Sequence, residues 1–154
     1  MIYMIWCEDI EHGIGIDNNL PWKIKDEMDH FRRTTMGKTI LCGEKTFASW
    51  GNRLLPGRKN IVITLDKNYR PVPGCEVYYD LKDVIKDYKD KDIYVCGGRQ
   101  IYNVFLPHAD RLIISTLKKS YHCNVFMKFD LSNFKIDKTE HHEEFDVNYY
   151  VRKK

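Results

Sequence analysis

The sequence is organised around Leu20-Pro21-Trp22-Lys23-Ile24-Lys25-Asp26-Glu27-Met28-Asp29-His30-Phe31. Pro21 fixes its own backbone and keeps Leu20 out of helical angles, so the segment begins as a loop. Beyond it, apolar side chains recur at helical spacing, which predicts a helix over residues 25–35. The predicted core-facing positions are Ile24, Met28, Phe31, Thr34 and Thr35, whereas Asp26, Asp29, His30 and Arg33 are predicted to lie off that face.

Glu27 interrupts this pattern, because it lies one residue before Met28 and four before Phe31, on the face that should meet the core. A carboxylate in apolar surroundings is costly unless a partner satisfies it. One interpretation is a glutamate that the positive end of the helix dipole stabilises, or one that curls back to solvent. The other is a pocket carboxylate whose pKa desolvation raises and which binds a cationic or hydrogen-bond-donating ligand. The neighbouring Trp22 and Phe31 would favour a flat aromatic ligand.

The composition is that of one globular domain, with 43% hydrophobic and 31% charged residues among 154. The net charge of +3 suits anionic small molecules but is too small to indicate nucleic acid as a partner. Five cysteines without a C-x-x-C pair predict free thiols in a reducing cytoplasm, and no spacing indicates a metal site. Residues 1–7 are too short for a signal-peptide core and no run reaches membrane-spanning length, so we expect a cytoplasmic protein without a membrane partner.

Buried strands and amphipathic helices alternate along most of the chain, and only strands are predicted after residue 121. The polar loop from Glu8 to Asn19 is long for a small domain, which indicates a functional loop or lid. This order indicates the α/β class: a single domain over residues 1–154 with a mostly parallel central sheet, about four flanking helices and an antiparallel C-terminal edge. Predicted strands cover 2–7, 38–43, 60–65, 76–79, 92–96, 111–117, 134–139 and 145–151, and predicted helices cover 25–35, 44–50, 81–88 after an Asp80 cap, and 99–106.

Two predicted strands end in glycine directly before a helix, at Gly43-Glu44-Lys45-Thr46 and at Gly97-Gly98-Arg99-Gln100. A helix N-terminus offers free N–H groups, and glycine lets a phosphate approach the backbone. In a parallel sheet both junctions lie at the carboxyl ends of strands, so the pair suits a ligand with a pyrophosphate, such as a dinucleotide. Each junction alone is a weak signal because such turns often contain glycine for steric reasons, and neither G-x-G-x-x-G nor a P-loop is present.

Arg58 is a further candidate binding residue, since it follows Pro56-Gly57 in a turn beside an apolar pair. Its planar guanidinium could bind a ligand carboxylate through two parallel hydrogen bonds. An exposed arginine in a turn is the commoner finding, so both interpretations stay open.

Taken together, five segments in this order and at these intervals resemble the dihydrofolate reductase family over nearly the whole chain. The segments are Ile14-Gly15-x-x-x-x-Leu20-Pro21-Trp22, Glu27-Met28-x-x-Phe31-Arg32-x-Thr34-Thr35, Gly43-x-x-Thr46-Phe47-x-Ser49, Leu55-Pro56-Gly57-Arg58-Lys59-Asn60 and Gly97-Gly98-x-x-Ile101-Tyr102. The resemblance implies reduction of 7,8-dihydrofolate to 5,6,7,8-tetrahydrofolate, for one-carbon metabolism, by hydride transfer from NADPH. It also implies a monomer with a small-molecule substrate, of the kind that antifolates inhibit.

The resemblance also assigns roles to individual residues. Glu27 would hold the pterin ring and support protonation of N5, through a water ordered near Trp22. Ser115 stands where a threonine hydroxyl usually braces this carboxylate, and Arg58 would bind the α-carboxylate of the glutamate tail. The substrate pocket implied in this way comprises Ile5, Trp6, Cys7, Met28, Phe31, Arg32, Leu55, Arg58 and Cys96.

The cofactor would lie along the two glycine junctions, with residues 14–20 as the loop that closes over the nicotinamide. The implied cofactor-binding residues are Cys7, Ile14, Gly15, Asn18, Leu20, Gly43, Glu44, Lys45, Thr46, Ile63, Thr64, Leu65, Cys96, Gly97, Gly98, Arg99, Gln100, Ile101 and Tyr102.

Two departures from the family pattern change these expectations. Glu44 stands where members usually have an arginine, and Leu65-Asp66 replaces a frequent basic residue, so Glu44 would repel cofactor phosphates. We therefore hypothesise weakened discrimination of NADPH over NADH; Lys45, Thr64 and Lys67 remain as candidate partners for a 2′-phosphate. The usual G-D-T-x-F-P segment appears as residues 123–128, without the aspartate and threonine that supply a loop-closing contact and a phosphate-side contact. This predicts turnover that is slower or limited by a different step.

Two rival functions remain open at this point. The related reductase of riboflavin synthesis shares the fold and cofactor, but it would not require Trp22 and Glu27 together with Arg58. A non-catalytic relative that binds nucleotide or RNA is supported only by the two departures. The modest charge argues against RNA, and a degraded enzyme would be expected to lose Glu27 first.

Overall fold

Ten strands and four α-helices follow one another in the part of the chain that a computed structural model describes, residues 1–16 and 20–153. The strands are β1 Ile2–Glu8, β2 Gly13–Gly15, β3 Thr39–Gly43, β4 Lys59–Ile63, β5 Cys75–Tyr78, β6 Ile93–Val95, β7 Arg111–Leu117, β8 Val125–Phe126, β9 Phe134–His141 and β10 Phe145–Arg152. The helices are α1 Lys25–Thr35, α2 Glu44–Ser49, α3 Leu81–Asp87 and α4 Arg99–Phe105.

Eight of the strands form one sheet in the order β5-β4-β3-β6-β1-β7-β10-β9. β1 lies inside it and pairs in parallel with both β6 and β7, as expected of a strand that is apolar on both sides. β3, β4 and β5 continue the parallel arrangement, whereas β10 pairs antiparallel with β7 and β9. The predicted α/β class, with a mostly parallel sheet, four helices and an antiparallel C-terminal edge, is confirmed.

The two faces of the sheet bury different side chains of β1, because successive residues of a strand point to opposite sides. Ile5 belongs to a cluster with Trp22 and Ile24, and Cys7 packs against the same cluster, on the side that α1 covers. Met4 and Trp6 belong to a second cluster together with residues of α3 and α4. We call these two sides the α1 face and the α4 face.

Several local predictions hold and several need correction. Asp80 is the N-cap of α3, and its carboxylate accepts a hydrogen bond from the Lys82 N–H at 2.9 Å. The predicted loop over 8–19 contains the short strand β2, which pairs antiparallel with β8; a Gly-Ile-Gly segment has too little periodicity to reveal a strand. None of the helices in the described ranges is long and apolar enough to cross a membrane.

α1 has the predicted bounds, but its buried face is rotated relative to the predicted apolar stripe. Met28 is 53% exposed, whereas His30 is only 4% exposed and its ring lies 6.5 Å from those of Phe145 and Tyr149. The placement of Met28 in the core and of His30 on the charged face was therefore wrong, because aromatic residues of the C-terminal hairpin extend the buried surface toward His30. Burial lowers the pKa of His30, which favours the neutral ring. The rotation brings Glu27 nearer the middle of the buried face.

Candidate active site

Glu27 is the buried carboxylate of the α1 face, where it is 9% exposed. Burial raises its pKa from 4.5 to about 7, although a hydrogen bond with the Cys7 thiol of β1 acts in the opposite direction. The same surroundings, burial first and then the Glu27 charge, raise the pKa of Cys7 and keep it a thiol. A carboxyl group with a pKa near 7 can both bind a donor and exchange a proton at neutral pH. The solvent-facing interpretation of Glu27 is therefore excluded.

Apolar side chains from four separate segments surround the Glu27 side of the sheet. Trp22 lies edge-on to Tyr121, with ring centroids 5.3 Å apart, and both belong to the cluster of the α1 face. The structure brings into this cluster the predicted pocket residues Ile5, Cys7, Trp22, Phe31, Leu55 and Cys96.

Trp6 was predicted among the residues that supply walls and backbone contacts to the pocket, and the structure places its side chain away from Glu27. Its indole lies on the α4 face, 5.2 Å from the Tyr102 ring and 6.3 Å from the Phe129 ring. The alternation of β1 places it opposite Ile5 and Cys7, so only its backbone borders the pocket. A strand that is apolar on both sides gives no sequence signal for the face that borders a ligand.

Four buried side-chain polar atoms have no hydrogen-bond partner among the described residues: Trp22 Nε1, Ser115 Oγ, His30 Nε2 and His142 Nε2. The first two belong to predicted site residues. Ser115 pairs with Cys7 in the sheet, so it is next to the strand position that contacts Glu27. The predicted brace from the Ser115 hydroxyl to the Glu27 carboxylate is not formed, and the Cys7 thiol makes that contact instead. Buried polar atoms of this kind hydrogen-bond to a ligand or to ordered water, so both fit a polar pocket.

Arg58 is held in place rather than extended into solvent. Its Nη1 donates to Thr35 Oγ1 at 3.1 Å, and its Nε donates to the Pro56 carbonyl at 3.0 Å. Partial burial lowers the pKa of Arg58, and the positive charge of nearby Arg32 acts in the same direction. Two neighbouring cations at this end of α1 make it a candidate carboxylate-binding position.

Asn60, at the start of β4, was quoted in a motif but received no predicted role. Its buried amide donates to the carbonyls of Leu55 and Arg58, at 3.1 and 2.9 Å, and its Oδ1 accepts the Leu55 N–H at 2.9 Å. These three bonds hold the turn that carries Leu55 and Arg58. A sequence signal exists, because a polar residue at the start of an apolar strand after a Pro-Gly turn often bonds back to that turn.

We expect Asn60→Asp to destabilise the fold by about 2–4 kcal/mol, since two part-buried carbonyls lose their donors while the acceptor for Leu55 remains. Urea unfolding followed by circular dichroism would measure this loss. Asn103→Asp, an exposed change of the same kind on α4, is the matched control. Equal stability of the two variants would contradict the role of Asn60.

The two glycine junctions lie against each other, as predicted for the carboxyl edge of a parallel sheet. The Gly43 N–H donates to the Gly97 carbonyl at 2.9 Å, and the Gly97–Gly98 peptide bond is cis. A Cβ at Gly43 would lie 2.9 Å from Ile101 Cγ1, and one at Gly98 would lie 3.0 Å from Thr46 Oγ1. A side chain at either position would press on a neighbouring side chain, so close packing of the two junctions favours glycine.

The remaining predicted cofactor-binding residues lie in several different elements and differ in their exposure. Ile63 ends β4 beside Gly43, and the Tyr102 hydroxyl donates to the Ile5 carbonyl at 2.6 Å. The Arg99 Nε donates to the Phe126 carbonyl of β8 at 2.8 Å. Ile14 and Gly15 lie in β2. The side chains of Lys45 and Gln100 are exposed, as are those of Leu20 and Leu65, at 61% and 91%. Asn18 lies outside the described residues.

Asp9, which the sequence reasoning passed over, holds the base of the predicted closing loop. Its fully buried carboxylate accepts backbone N–H groups from Glu11, Gly13 and Tyr121 at 2.8–2.9 Å. Burial alone would raise the pKa of Asp9, but these hydrogen bonds lower it.

The altered 123–128 segment still pairs with β2, because the Asn124 N–H donates to the Gly15 carbonyl at 3.0 Å. Asp9 itself could have been identified from the sequence. An aspartate four residues before a glycine is a turn signal that could have identified Asp9.

Comparisons with known proteins agree with this geometry. A sequence model described as dihydrofolate reductase matches residues 1–153. The dihydrofolate reductase of Ureaplasma parvum serovar 3 is 40% identical over 157 residues, with 100% of this chain and 99% of that protein covered. The segregation and condensation protein A of Mycoplasma pneumoniae is 35% identical over 99% of this chain but only 30% of that longer protein. The structure of dihydrofolate reductase from Enterococcus faecalis complexed with NADP(H) and RAB-propyl has a TM-score of 0.92 at 22% identity and covers 100% of this chain and 97% of that chain. The chain belongs to the dihydrofolate reductase family.

Proposed function

We propose that this protein reduces 7,8-dihydrofolate to 5,6,7,8-tetrahydrofolate with NADPH. The N5–C6 double bond of the substrate is reduced, with a hydride added to C6 and a proton to N5, and NADPH becomes NADP⁺. Family membership supports the reaction class. The observation that carries the proposal is the buried carboxyl group of Glu27 on the α1 face, whose pKa of about 7 suits the proton step.

Glu27 binds and orients the pterin in this proposal. Its carboxylate accepts hydrogen bonds from the 2-amino group and a ring nitrogen, and the rings of Trp22 and Phe31 flank the flat heterocycle. The unpartnered Trp22 Nε1 is a donor suited to the water that carries a proton toward N5. The Cys7 thiol keeps the Glu27 side chain in place. Proton transfer assisted in this way contributes about 10²–10⁴-fold to the rate.

In this proposal the cofactor binds to the backbone of the two glycine junctions, since the chain has no G-x-G-x-x-G loop. The contact between Gly43 and Gly97 brings two glycine junctions together, which fits a pyrophosphate against the backbone that precedes α2 and α4. When bound, NADPH supplies the hydride. Ile14 and Gly15 of β2 lead into the segment that excludes water from the nicotinamide, and the Asp9 hydrogen bonds anchor its base.

Arg58 and Arg32 bind the anionic glutamate tail of the substrate. Arg58 suits this role because Thr35 and Pro56 fix two of its donors and thereby orient the rest of the guanidinium. Arg32 lies on the exposed side of α1, close enough to lower the pKa of Arg58.

The function is tested by following NADPH absorbance with purified protein, with and without dihydrofolate. We expect oxidation that requires dihydrofolate and that stops when a competitive antifolate is added. A deaminated pyrimidine intermediate of riboflavin synthesis, offered instead of dihydrofolate, should give no oxidation. Folded protein that oxidises NADPH with neither substrate would contradict the proposal and favour a nucleotide-binding relative.

We also propose that the chain acts as a cytoplasmic monomer with one domain over residues 1–154. All five cysteines are free, which suits a reducing compartment. The residues gathered around Glu27 come from one chain, so no second copy is needed to complete the pocket. Light scattering at increasing protein concentration would test the monomer.

A further inference from the structure

Glu44 follows Gly43 directly and is the first residue of α2, so it lies at the rim of the proposed cofactor site. Its Oε2 accepts a hydrogen bond from Thr64 Oγ1 at 2.9 Å. Thr64 follows β4 and is only 9% exposed, and β4 pairs with β3 up to Gly43. The pair Glu44–Thr64 therefore bridges the carboxyl ends of two neighbouring strands.

The hydrogen-bond directions decide what this rim can bind. A threonine hydroxyl has one proton, and Thr64 gives its proton to the Glu44 carboxylate. The same oxygen accepts the Asp66 N–H at 3.1 Å. Thr64 is thus not available as a donor to a phosphate unless it releases Glu44, which corrects the expectation that it helps to bind a 2′-phosphate.

The charge of Glu44 next to Thr64 also disfavours binding of a 2′-phosphate. The Glu44 carboxylate lies beside Thr64, and the Asp66 carboxylate two residues further on accepts the Asn68 N–H at 2.9 Å. The Lys67 Nζ lies over the Tyr79 ring, 5.3 Å from its centroid. Of the expected phosphate partners, the two exposed lysines Lys45 and Lys67 are left. A carboxylate repels a phosphate but accepts a hydrogen bond from a ribose 2′-hydroxyl, which is how acidic residues recognise NAD in other dinucleotide-binding folds.

Building on the proposed function, we propose that the Glu44–Thr64 pair selects for a free 2′-hydroxyl on the adenosine ribose, so that this protein binds NADH about as well as NADPH. Glu44 acts as the specificity-determining residue, and Thr64 orients its carboxylate. The preference concerns binding of the adenosine half and leaves the hydride and proton steps unchanged.

Isothermal titration of the full chain with NADP⁺ and with NAD⁺ tests this without turnover. We expect the two Kd values of the unmodified protein to agree within about tenfold. Glu44→Gln should shift their ratio toward NADP⁺ by on the order of tenfold, because it removes one negative charge, and Glu44→Arg should shift it further. Glu143→Gln, an exposed charge change in the β9–β10 turn, is the matched control and should leave the ratio unchanged.

The outcomes separate this proposal from the proposed function. Binding of NADP⁺ more than about a hundredfold tighter than NAD⁺, with the same ratio in Glu44→Gln, would overturn the role of Glu44 while leaving dihydrofolate reduction intact. Binding of neither nucleotide by folded protein would overturn both. Thermal unfolding of each variant without nucleotide checks that Glu44→Gln and Glu44→Arg remain folded.

Discussion

Glu27→Gln is expected to lower kcat/KM for dihydrofolate by about 10²–10⁴-fold at neutral pH. The amide keeps the shape of the side chain but cannot supply a proton or carry the charge that attracts the pterin donors. Because the side chain is buried beside Cys7 and Trp22, no neighbouring carboxylate is expected to replace it within the pocket. Steady-state rates with dihydrofolate and saturating NADPH would measure the loss.

The pH profile distinguishes a proton-transfer role from a purely structural one. The pKa of about 7 means that Glu27 is protonated below that pH and loses its proton above it. We expect kcat/KM of the unmodified protein to fall as the pH rises through about 7, and the Glu27→Gln profile to lack this break. Asp26→Asn, an exposed change one residue earlier on α1, should keep both the rate and the break. A Glu27→Gln variant with near-normal rates and the same break would refute the assignment.

Periodicity predicted most of the fold because the information it uses is local. The bounds of α1 and β7 match the predicted 25–35 and 111–117, since apolar spacing and flanking loop residues decide both ends. The meeting of Gly43 with Gly97 was also predictable, because parallel strands bring their carboxyl ends to one edge.

The errors arise where distant segments decide burial. His30 is buried because Phe145 and Tyr149 of the C-terminal hairpin pack against it, which no helical pattern near residue 30 can indicate. The Trp6 side chain faces away from the pocket. The sequence could not indicate this because β1 is apolar on both sides and is therefore compatible with either face. Both positions needed the tertiary structure.

Hydrogen-bond geometry was the other part that the sequence left open. The sequence offered Thr64 as a phosphate partner, but the direction of its bond to Glu44 changes what it can bind. Asp9 and Asn60 stand beside turn signals in the sequence, but only the fold shows which backbone groups they bond. Residue type limits what a side chain can donate or accept, and only the fold determines the partner that receives it.

The burial that suits Glu27 to its proposed role should also reduce stability at high pH. Its pKa is about 7 in the folded protein, compared with the ordinary value of 4.5 that applies to the unfolded chain. Between these two pH values the native state therefore binds a proton that the unfolded state lacks. Stability from this group is therefore present below about pH 4.5 and is lost as the pH rises through about 7. At about 1.36 kcal/mol for each pKa unit, the full loss is about 3 kcal/mol.

Glu27→Gln should therefore gain stability relative to the unmodified protein by about 2–3 kcal/mol between about pH 5 and about pH 8, because glutamine has no charge to bury. Urea unfolding at each pH gives the difference, and Asp26→Asn should show no such trend because its carboxyl group is exposed. A constant difference across this range would mean that Glu27 titrates alike in the folded and unfolded states, and the pocket would then lack the desolvation that the proton step requires. A variant that is more stable at pH 8 yet far less active would show that the fold gives up stability at the position where the chemistry needs a raised pKa.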